Sequence, residues 1–216
     1  MANLENLLPF ARRALETRIA GLRLSVPAIT AIDATAGNGR DSLFLARHIG
    51  PSGKVWAFDI QEAAIRKTRI RLEAAGLADR VTLVCAGHQH IASVLAAGAT
   101  DTVHIAMFNL GFLPGGNRAV TTQPETTIAA LQALLPLMAP ESLCAVHCYA
   151  GHAGGDAECA RVRAFFSALP WKTWHVAGYA FVNKDNNPEL LLLAERLPEK
   201  TTDSLLSSCQ KSQDSV

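Results

Sequence analysis

The sequence predicts an α/β domain with a seven-stranded, mostly parallel sheet, an antiparallel last strand and helices on both faces. Short runs that are apolar on both faces alternate along the chain with amphipathic segments of helical period. Alternation at this spacing indicates right-handed βαβ units. The last two apolar runs are joined only by Asn183–Pro188, which is too short for a helical crossover, so the seventh strand is expected to run antiparallel to the sixth.

The predicted strands are short and rich in apolar residues. They are Ala28–Ala34, Lys54–Asp59, Arg80–Cys85, Thr102–Asn109, Leu143–Tyr149, Thr173–Val182 and Glu189–Glu195. The predicted helices carry apolar residues at intervals of three and four. They are Leu4–Ala20, Asp41–Ile49, Glu62–Ala75, Ile91–Ala97, Pro124–Met138 and Ala157–Leu169. A polar, Ser-rich stretch follows, so we expect one domain over residues 1–197, with an N-terminal helix within residues 1–24, and a disordered tail over 198–216.

The composition favours a compact globular protein, since 49% of the 216 residues are hydrophobic and 18% are charged. Twenty Lys and Arg against nineteen Asp and Glu argue against a protein held on nucleic acid mainly by charge. Five cysteines without paired spacing favour a reducing compartment. No apolar run reaches the roughly 18 residues of a membrane span. These features predict a cytoplasmic protein that binds no membrane.

A glycine-rich motif, DATAGNGRD at residues 33–41, follows the first strand and leads into a helix. Gly37 and Gly39 permit a sharp turn and a close approach of a ligand, and the helix start presents unpaired N–H groups. Ser42 replaces the third glycine of the dinucleotide fingerprint, which favours a ligand without a pyrophosphate. Taken alone, the motif is equally compatible with an ordinary turn.

Two further strand ends support an adenosine-containing cofactor. Asp59 ends the second strand about twenty residues after the glycines, where a carboxylate accepts hydrogen bonds from ribose hydroxyls; its alternative role is to cap the next helix. Gly87 and His88 follow the third strand, where such folds contact adenine, although His88 and His90 are also compatible with plain surface histidines. The predicted cofactor-binding residues are Asp33, Thr35, Gly37, Asn38, Gly39, Asp41, Asp59, Ile60, Gln61, Gly87, His88 and Asn109.

The fourth strand ends in Asn109–Gly116 (NLGFLPGG), which opens a loop of more than ten residues. Loops of that length in a compact domain are usually functional. An Asn followed three residues later by an aromatic resembles the Asn-Pro-Pro-Tyr pattern of amino-group methyltransferases, in which the Asn orients the target nitrogen. Leu110 and Gly111 depart from that pattern, so the analogy concerns geometry. The alternative is a turn with Phe112 packed in the core.

The segment HCYAGH at residues 147–152 invites a metal-site interpretation, which the strand period disfavours. His147 and Cys148 point to opposite faces of a strand, and Cys144 and Cys148 are better explained as small core residues, so we expect no metal. The predicted catalytic residues, from the same sheet edge, are Asn109, His152 and Tyr149. The predicted substrate-binding residues are Leu110, Gly111, Phe112, Asn183, Asn186 and Asn187.

With these motifs, the chain resembles the bacterial tRNA 5-aminomethyl-2-thiouridine methyltransferases, a family long labelled rRNA methylases. The resemblance covers about Ala31–Glu195, and its motifs are DATAGNGRD, FDIQ (58–61), NLGFLPGG, GHAGG (151–155) and NKDNNP (183–188). It implies a Rossmann-like class I methyltransferase fold with S-adenosylmethionine as cofactor. It also implies methylation of the primary amine on an aminomethyl uridine at the wobble position, in the anticodon loop of tRNA. A homodimer is compatible with the sequence.

Other functions stay open at this point. One alternative is a methyltransferase for another RNA such as rRNA, or for a small-molecule or protein amine. The other is a nicotinamide-dependent oxidoreductase or a non-catalytic nucleotide-binding module, which the missing third glycine and the reversed last strand disfavour. Basic residues are candidate phosphate contacts, although a solvated helix face explains them more simply. They are Arg12, Arg13, Arg18, Arg66, Lys67, Arg69 and Arg71.

Overall fold

The computed structural model describes residues 4–116, 119–184 and 189–199, and their strands form one sheet. The strands are β1 (Thr30–Asp33), β2 (Lys54–Asp59), β3 (Val81–Cys85), β4 (Val103–Leu110), β5 (Met138–Tyr149), β6 (Trp174–Tyr179) and β7 (Glu189–Arg196). Their order is β3-β2-β1-β4-β5-β7-β6. β7 runs antiparallel to both of its neighbours, and the other strands run in one direction. The predicted α/β fold with a reversed last strand is confirmed.

Helices cover both faces of the sheet. They are α1 (Leu7–Leu22), α2 (Arg40–His48), α3 (Glu62–Ala74), α4 (Ile91–Ala97), α5 (Pro124–Leu134) and α6 (Gly155–Ser167). Along β4, Ile105 and Met107 face the core formed with α1, α2 and α3, whereas Ala106 and Phe108 face the core formed with α4, α5 and α6. Strand β4 is buried on both faces, which explains its continuous apolar sequence.

The predicted boundary between the fifth helix and the fifth strand is wrong. Helix α5 ends at Leu134 instead of Met138, and a single 3₁₀ turn follows. Pro136 lies in that turn, and a proline lacks the backbone N–H and restricts the residue before it. Strand β5 then begins at Met138, which pairs with Val103, five residues before the predicted start.

Two other expectations concern a membrane span and the tail of the chain. No helix among the described residues is long and apolar enough to cross a membrane. From residue 200 onward the predicted disordered tail lies outside the described residues, as do Asn186 and Asn187 of the predicted substrate site.

Candidate active site

A cavity of about 1150 Å³ opens at the edge of the sheet where β1, β2, β4 and β5 end. Helix α2 follows β1 onto one face and α5 follows β4 onto the other, so a crevice is left between these adjacent strands. Most of the predicted site residues line this cavity. They are Thr35, Gly37, Asn38, Asp41, Asp59, Ile60, Gln61, Gly87, His88, Asn109, Leu110, Gly111, Phe112, Tyr149 and His152.

Asp59 joins the loops that follow β1 and β2. Its Oδ2 accepts a hydrogen bond from the backbone N of Gly37 at 2.9 Å, and its Oδ1 accepts one from the backbone N of Gln61 at 2.8 Å. Gln61, the N-cap residue of α3, makes no capping hydrogen bond with its own side chain, so the bond from its backbone N to Asp59 leaves both predicted roles of Asp59 open. Burial raises the pKa of Asp59. Each carboxylate oxygen has a second lone pair with which to accept a ligand hydroxyl.

Asp33 lies beneath the cavity and does not line it, which corrects its predicted direct contact with a cofactor. The side chain is fully buried and accepts hydrogen bonds from Ser42 Oγ at 2.6 Å and from the backbone N of Thr35 at 3.2 Å. Burial, together with the nearby carboxylate of Asp41, raises the pKa of Asp33 to about 7. Asp33 therefore shapes the glycine-rich loop from below.

Gly39 is also absent from the cavity lining, and the structure gives it a packing role. Its φ is +74°, and a Cβ at this position would lie 2.8 Å from the Cα of Thr68 on α3. Thr68 donates a hydrogen bond to the carbonyl of Gly37 at 3.2 Å. Only glycine allows α3 to approach the loop this closely.

His88 is buried at one end of the cavity, so the surface-histidine alternative is wrong for this residue. Its Nδ1 lies 3.3 Å from the carbonyl oxygen of Ala34, and its Nε2 lies 3.4 Å from Thr127 Oγ1. Burial lowers the pKa of His88 to about 4, so the ring is neutral near pH 7. His88 therefore adds no positive charge to this end of the cavity.

A chain of hydrogen bonds runs from α1 to the end of β4. Arg12 donates from Nε and Nη2 to Oδ1 of Asp41, at 2.8 and 2.6 Å. Asn109 donates from Nδ2 to Oδ2 of Asp41 at 2.7 Å, and its backbone N donates to Thr35 Oγ1 at 2.8 Å. The carboxylate fixes the amide orientation, because only the NH₂ group can donate to it. Asn109 Oδ1 is shielded from solvent and has no hydrogen-bond partner among the described residues.

A second cluster of polar side chains lies beside Tyr149 at the end of β5. His147 Nε2 lies 3.0 Å from Oε2 of Glu189, and Lys184 donates to Oε1 of the same carboxylate. The rings of His147 and Tyr149 have centroids 4.0 Å apart. Burial, with the carboxylates of Glu189 and Asp41, raises the pKa of Tyr149 to about 12. Tyr149 therefore keeps its proton at neutral pH.

Asn183, the described member of the predicted asparagine loop, is exposed and does not line the cavity. The next residue, Lys184, occupies the cavity wall instead and pairs with Glu189. The substrate contact at Asn183 stays a prediction outside the cavity wall, and Lys184 is the described residue of this loop that lines the cavity.

His152 and Phe112 lie on the side of the cavity formed by the loops after β4 and β5. The His152 Nδ1 lies 3.1 Å from the carbonyl oxygen of Ala153, while its Nε2 is buried without a partner among the described residues. Phe112 is half-buried, lines the cavity and stands edge-on to His152, with ring centroids 6.2 Å apart. The alternative of a Phe112 packed in the core is therefore wrong.

The base of the loop after β4 is tied down by a buried carboxylate that the sequence analysis missed. The backbone N of Gly111 donates to Thr122 Oγ1 at 2.9 Å. Thr122 and Thr127 donate to the two carboxylate oxygens of Glu158, both at 2.6 Å, and Glu158 is 1% exposed. The loop that carries Phe112 is thus fastened to α5 and α6.

A model of the family described as "Putative rRNA methylase" matches residues 55–195 of this chain. The chain belongs to the rRNA methylase family. This confirms the resemblance drawn from the motifs. The matched stretch begins at Val55, so Arg12 and Asp41 lie before the part of the chain that the family model describes.

A plant protein is among the relatives of this chain. A tRNA (mnm5s2U34)-methyltransferase, chloroplastic, of Arabidopsis thaliana is 35% identical over an alignment of 175 positions that covers 77% of this chain. The alignment covers 63% of the plant protein, so this chain spans less than two thirds of the length of that relative.

Solved structures of similar rRNA methylases share the fold. An rRNA methylase from Clostridium thermocellum is 34% identical, with a TM-score of 0.81 over 90% of this chain and 100% of the other. A methyltransferase from Streptococcus mutans, in complex with SAH, is 33% identical, with a TM-score of 0.75 over 90% and 99% of the two chains. The predicted Rossmann-like methyltransferase architecture is confirmed.

Cys144 and Cys148 lie on β5, whereas Cys85 is exposed and Cys159 lies on α6. Cys144 and Cys148 are buried in the core beside α4, α5 and α6, as predicted, and burial raises the pKa of Cys144 to about 12. Within the described ranges no three His, Cys, Asp or Glu side chains are grouped so that they could hold a metal ion.

Proposed function

We propose that this chain is an S-adenosylmethionine-dependent methyltransferase that methylates the primary amine of 5-aminomethyl-2-thiouridine at the wobble position of tRNA. The similarity to a Streptococcus mutans methyltransferase in complex with SAH supports the cofactor. The name of the Arabidopsis thaliana relative supports the nucleoside and its position. The geometry of the cavity also supports this cofactor and this substrate.

The cavity fits a nucleoside cofactor and a second ligand. Its volume of about 1150 Å³ exceeds the roughly 300 to 1,000 Å³ of ordinary ligand pockets. Asp59 supplies carboxylate lone pairs for ribose hydroxyls, and Gly37 allows the backbone to approach a ligand. When bound, S-adenosylmethionine supplies a methyl group on a positively charged sulfur, which an amine lone pair can attack.

The proposal depends most on one observation, the unpaired state of Asn109 Oδ1 among the described residues. This oxygen is a buried acceptor on an amide whose other end is fixed by Asp41. A primary amine has two N–H donors and one lone pair. When Asn109 Oδ1 accepts one N–H, the nitrogen is held with its lone pair free for attack, and alignment of this kind accounts for much of the rate of such a transfer.

The amine must lose a proton before it can react. An alkyl ammonium titrates near 10, as lysine does, so the substrate arrives as a cation. Asp41 and Glu189 line the cavity, where Arg12 and Lys184 pair with them, so the wall is close to neutral at these carboxylates. We assign the proton transfer to His152: when its Nδ1–H donates to the carbonyl of Ala153, the unpartnered Nε2 has a free lone pair.

The transfer itself forms a bond between the nitrogen and the methyl carbon and breaks the bond between sulfur and that carbon. The product is a secondary ammonium, which then loses a proton to water. A wobble base is unpaired in the anticodon loop, so no duplex has to be opened, and the half-buried ring of Phe112 provides a face on which the base can stack.

The proposal is tested with tRNA from a strain that lacks this gene. Purified protein and S-adenosylmethionine should convert 5-aminomethyl-2-thiouridine to its N-methyl form, as measured by mass analysis of the nucleosides. The family description favours rRNA as a second candidate, so rRNA and intact ribosomal subunits from the same strain are assayed in parallel. Methylation of rRNA with none of tRNA would contradict the tRNA proposal.

A further inference from the structure

A groove of about 620 Å³ runs between α2 and α3, beside the active-site cavity. Its walls are one face of each helix. Arg40, Leu43 and Arg47 lie on α2 at positions i, i+3 and i+7, and Lys67 and Arg71 lie on α3 at positions i and i+4. This spacing aligns the side chains along each helix, so the two rows of cations face a common groove.

The groove concentrates positive charge. Four of its ten lining residues are Arg or Lys, and none is Asp or Glu. Arg71 donates from Nε to the carbonyl of Asn38 at 2.7 Å, whereas Arg40, Arg47 and Lys67 form no ion pair within the described residues. Uncompensated charge at a concave surface attracts anions strongly.

Most other basic side chains considered in the sequence analysis are neutralised. Arg12 pairs with Asp41, Arg13 with Glu5, Arg18 with Glu195 and Arg66 with Glu62. These four side chains are therefore poor candidates for phosphate contacts. The structure selects a different set, in which Arg40 and Arg47, which sequence analysis missed, join Lys67 and Arg71.

The groove is continuous with the cavity. Asn38, Arg40 and Pro114 line both. The cavity lining balances Asp41, Asp59 and Glu189 against Arg12, Arg40 and Lys184, whereas the charged residues of the groove are all cations, so phosphates are attracted more strongly to the groove than to the cavity. Ile70 is 65% exposed in the groove and offers an apolar contact between the cations.

We propose that the groove between α2 and α3 binds the sugar-phosphate backbone of the RNA nucleotides next to the modified base. The inference rests on the proposed function, because it takes RNA as the substrate. A narrow, concave row of cations that leads into the cavity suits a strand with regularly spaced phosphates. A flat lipid surface would need a protruding basic face instead.

The test compares two double variants with equal changes in charge. Arg47→Ala with Lys67→Ala removes two groove cations that do not line the cavity. Arg163→Ala with Lys172→Ala removes two exposed cations outside both. Binding of a fluorescent anticodon stem-loop RNA is measured by anisotropy between about 50 and 200 mM salt. Calorimetry with S-adenosylhomocysteine and thermal melting show whether each variant is folded and binds cofactor.

The groove variant should bind RNA at least about tenfold more weakly, and its log-affinity should fall less steeply with log salt, by about 1.4 units for two lost phosphate contacts. The control variant should behave as wild type. If the groove variant binds RNA with the affinity and the salt dependence of the wild type, the proposed role of the groove is wrong. Methylation of tRNA by the wild type would still support the proposed function. Failure of the wild type to methylate any RNA would instead refute the proposed function. Binding to phosphatidylserine vesicles that only the groove variant loses, with unchanged RNA binding, would reassign the groove to lipid.

Discussion

Asn109 donates from Nδ2 to Oδ2 of Asp41 at 2.7 Å, and this contact decides which atom of the Asn109 amide remains available to a substrate. Asp41 is held in turn by two donors of Arg12. The other amide atom, Asn109 Oδ1, is a buried acceptor without a partner among the described residues, so a ligand that reaches it must donate a hydrogen bond.

Asn109→Ala should slow methyl transfer to tRNA by a factor of about 100 or more while cofactor affinity changes less than about threefold. An interaction that only aligns the nucleophile is expressed in the chemical step and is worth a few kcal/mol. Single-turnover rates at saturating cofactor, with calorimetry for binding, separate the two effects. Gln132→Ala, an exposed change on α5, is the control. A variant that reacts at the wild-type rate would leave Asn109 as a strand-terminating residue.

Asp41→Asn should also slow the chemical step, because an amide at position 41 no longer dictates the orientation of Asn109. If Asp41 acts through Asn109, adding Asp41→Asn to Asn109→Ala should produce little further loss. The four single-turnover rates of this double-mutant cycle measure the coupling. Rate losses that multiply independently would show that Asp41 contacts the substrate on its own.

Asp59→Ala should weaken S-adenosylmethionine binding about tenfold or more, because hydrogen bonds to a charged group contribute about 1.5 to 3 kcal/mol. The loss of its bonds to Gly37 and Gln61 adds to the effect by loosening the loop. Calorimetric titration gives the dissociation constant directly. Asp79→Ala, an exposed acidic residue beyond α3, serves as the matched control. Equal affinities for the Asp59 variant and the wild type would remove Asp59 from the cofactor site.

His152→Gln should lower the single-turnover rate most strongly at the acid end of the range and steepen its rise with pH, because more of the substrate amine is already neutral at high pH. Glutamine preserves polarity and approximate size but cannot take up a proton. Tyr149→Phe should have a smaller effect on the shape of this profile, since the raised pKa of Tyr149 keeps its phenol protonated. Rates between about pH 6 and 9 provide the comparison. A His152→Gln profile parallel to that of the wild type would assign proton removal to another group.

Asp33→Asn should make stability less dependent on pH. The pKa of Asp33 is raised to about 7 in the folded protein from a usual 3.8, so its contribution to stability is fully present below about 4 and is lost as pH rises towards 7. The lowered pKa of His88 acts with the opposite sign, so wild type and variant must be compared directly. Urea unfolding of both at about pH 5 and 8 gives the double difference, and a zero value would contradict the burial effect.

The sequence predicted the sheet, its reversed last strand and most of the cavity wall. The cavity wall could be predicted because the carboxyl ends of parallel strands lie at the same edge of the sheet. Asp59, His88 and Asn109 could be found in this way. The α5–β5 boundary was missed because Pro136 stands in an otherwise continuous apolar run.

Contacts between distant parts of the chain were less accessible to sequence analysis. Arg12 and Asp41 are 29 residues apart, and Thr122 and Glu158 are 36 apart, with no local pattern that marks either pair. Gly39 and Asp33 were assigned to ligand contacts because a motif shows which residues the loop needs but not which of them face the cavity. Their structural roles depend on Thr68 and Ser42, which only the folded chain brings near.

Helix α1 has a consequence for protein engineering. It carries the guanidinium that steadies Asp41, and its apolar face, which includes Leu15 and Ile19, is buried against the sheet. Shortening the amino terminus to reach the stretch matched by the family model would therefore remove the guanidinium that holds Asp41 beside Asn109 and expose the apolar residues that α1 covers. A purification tag is safer when it leaves the first turn of this helix undisturbed.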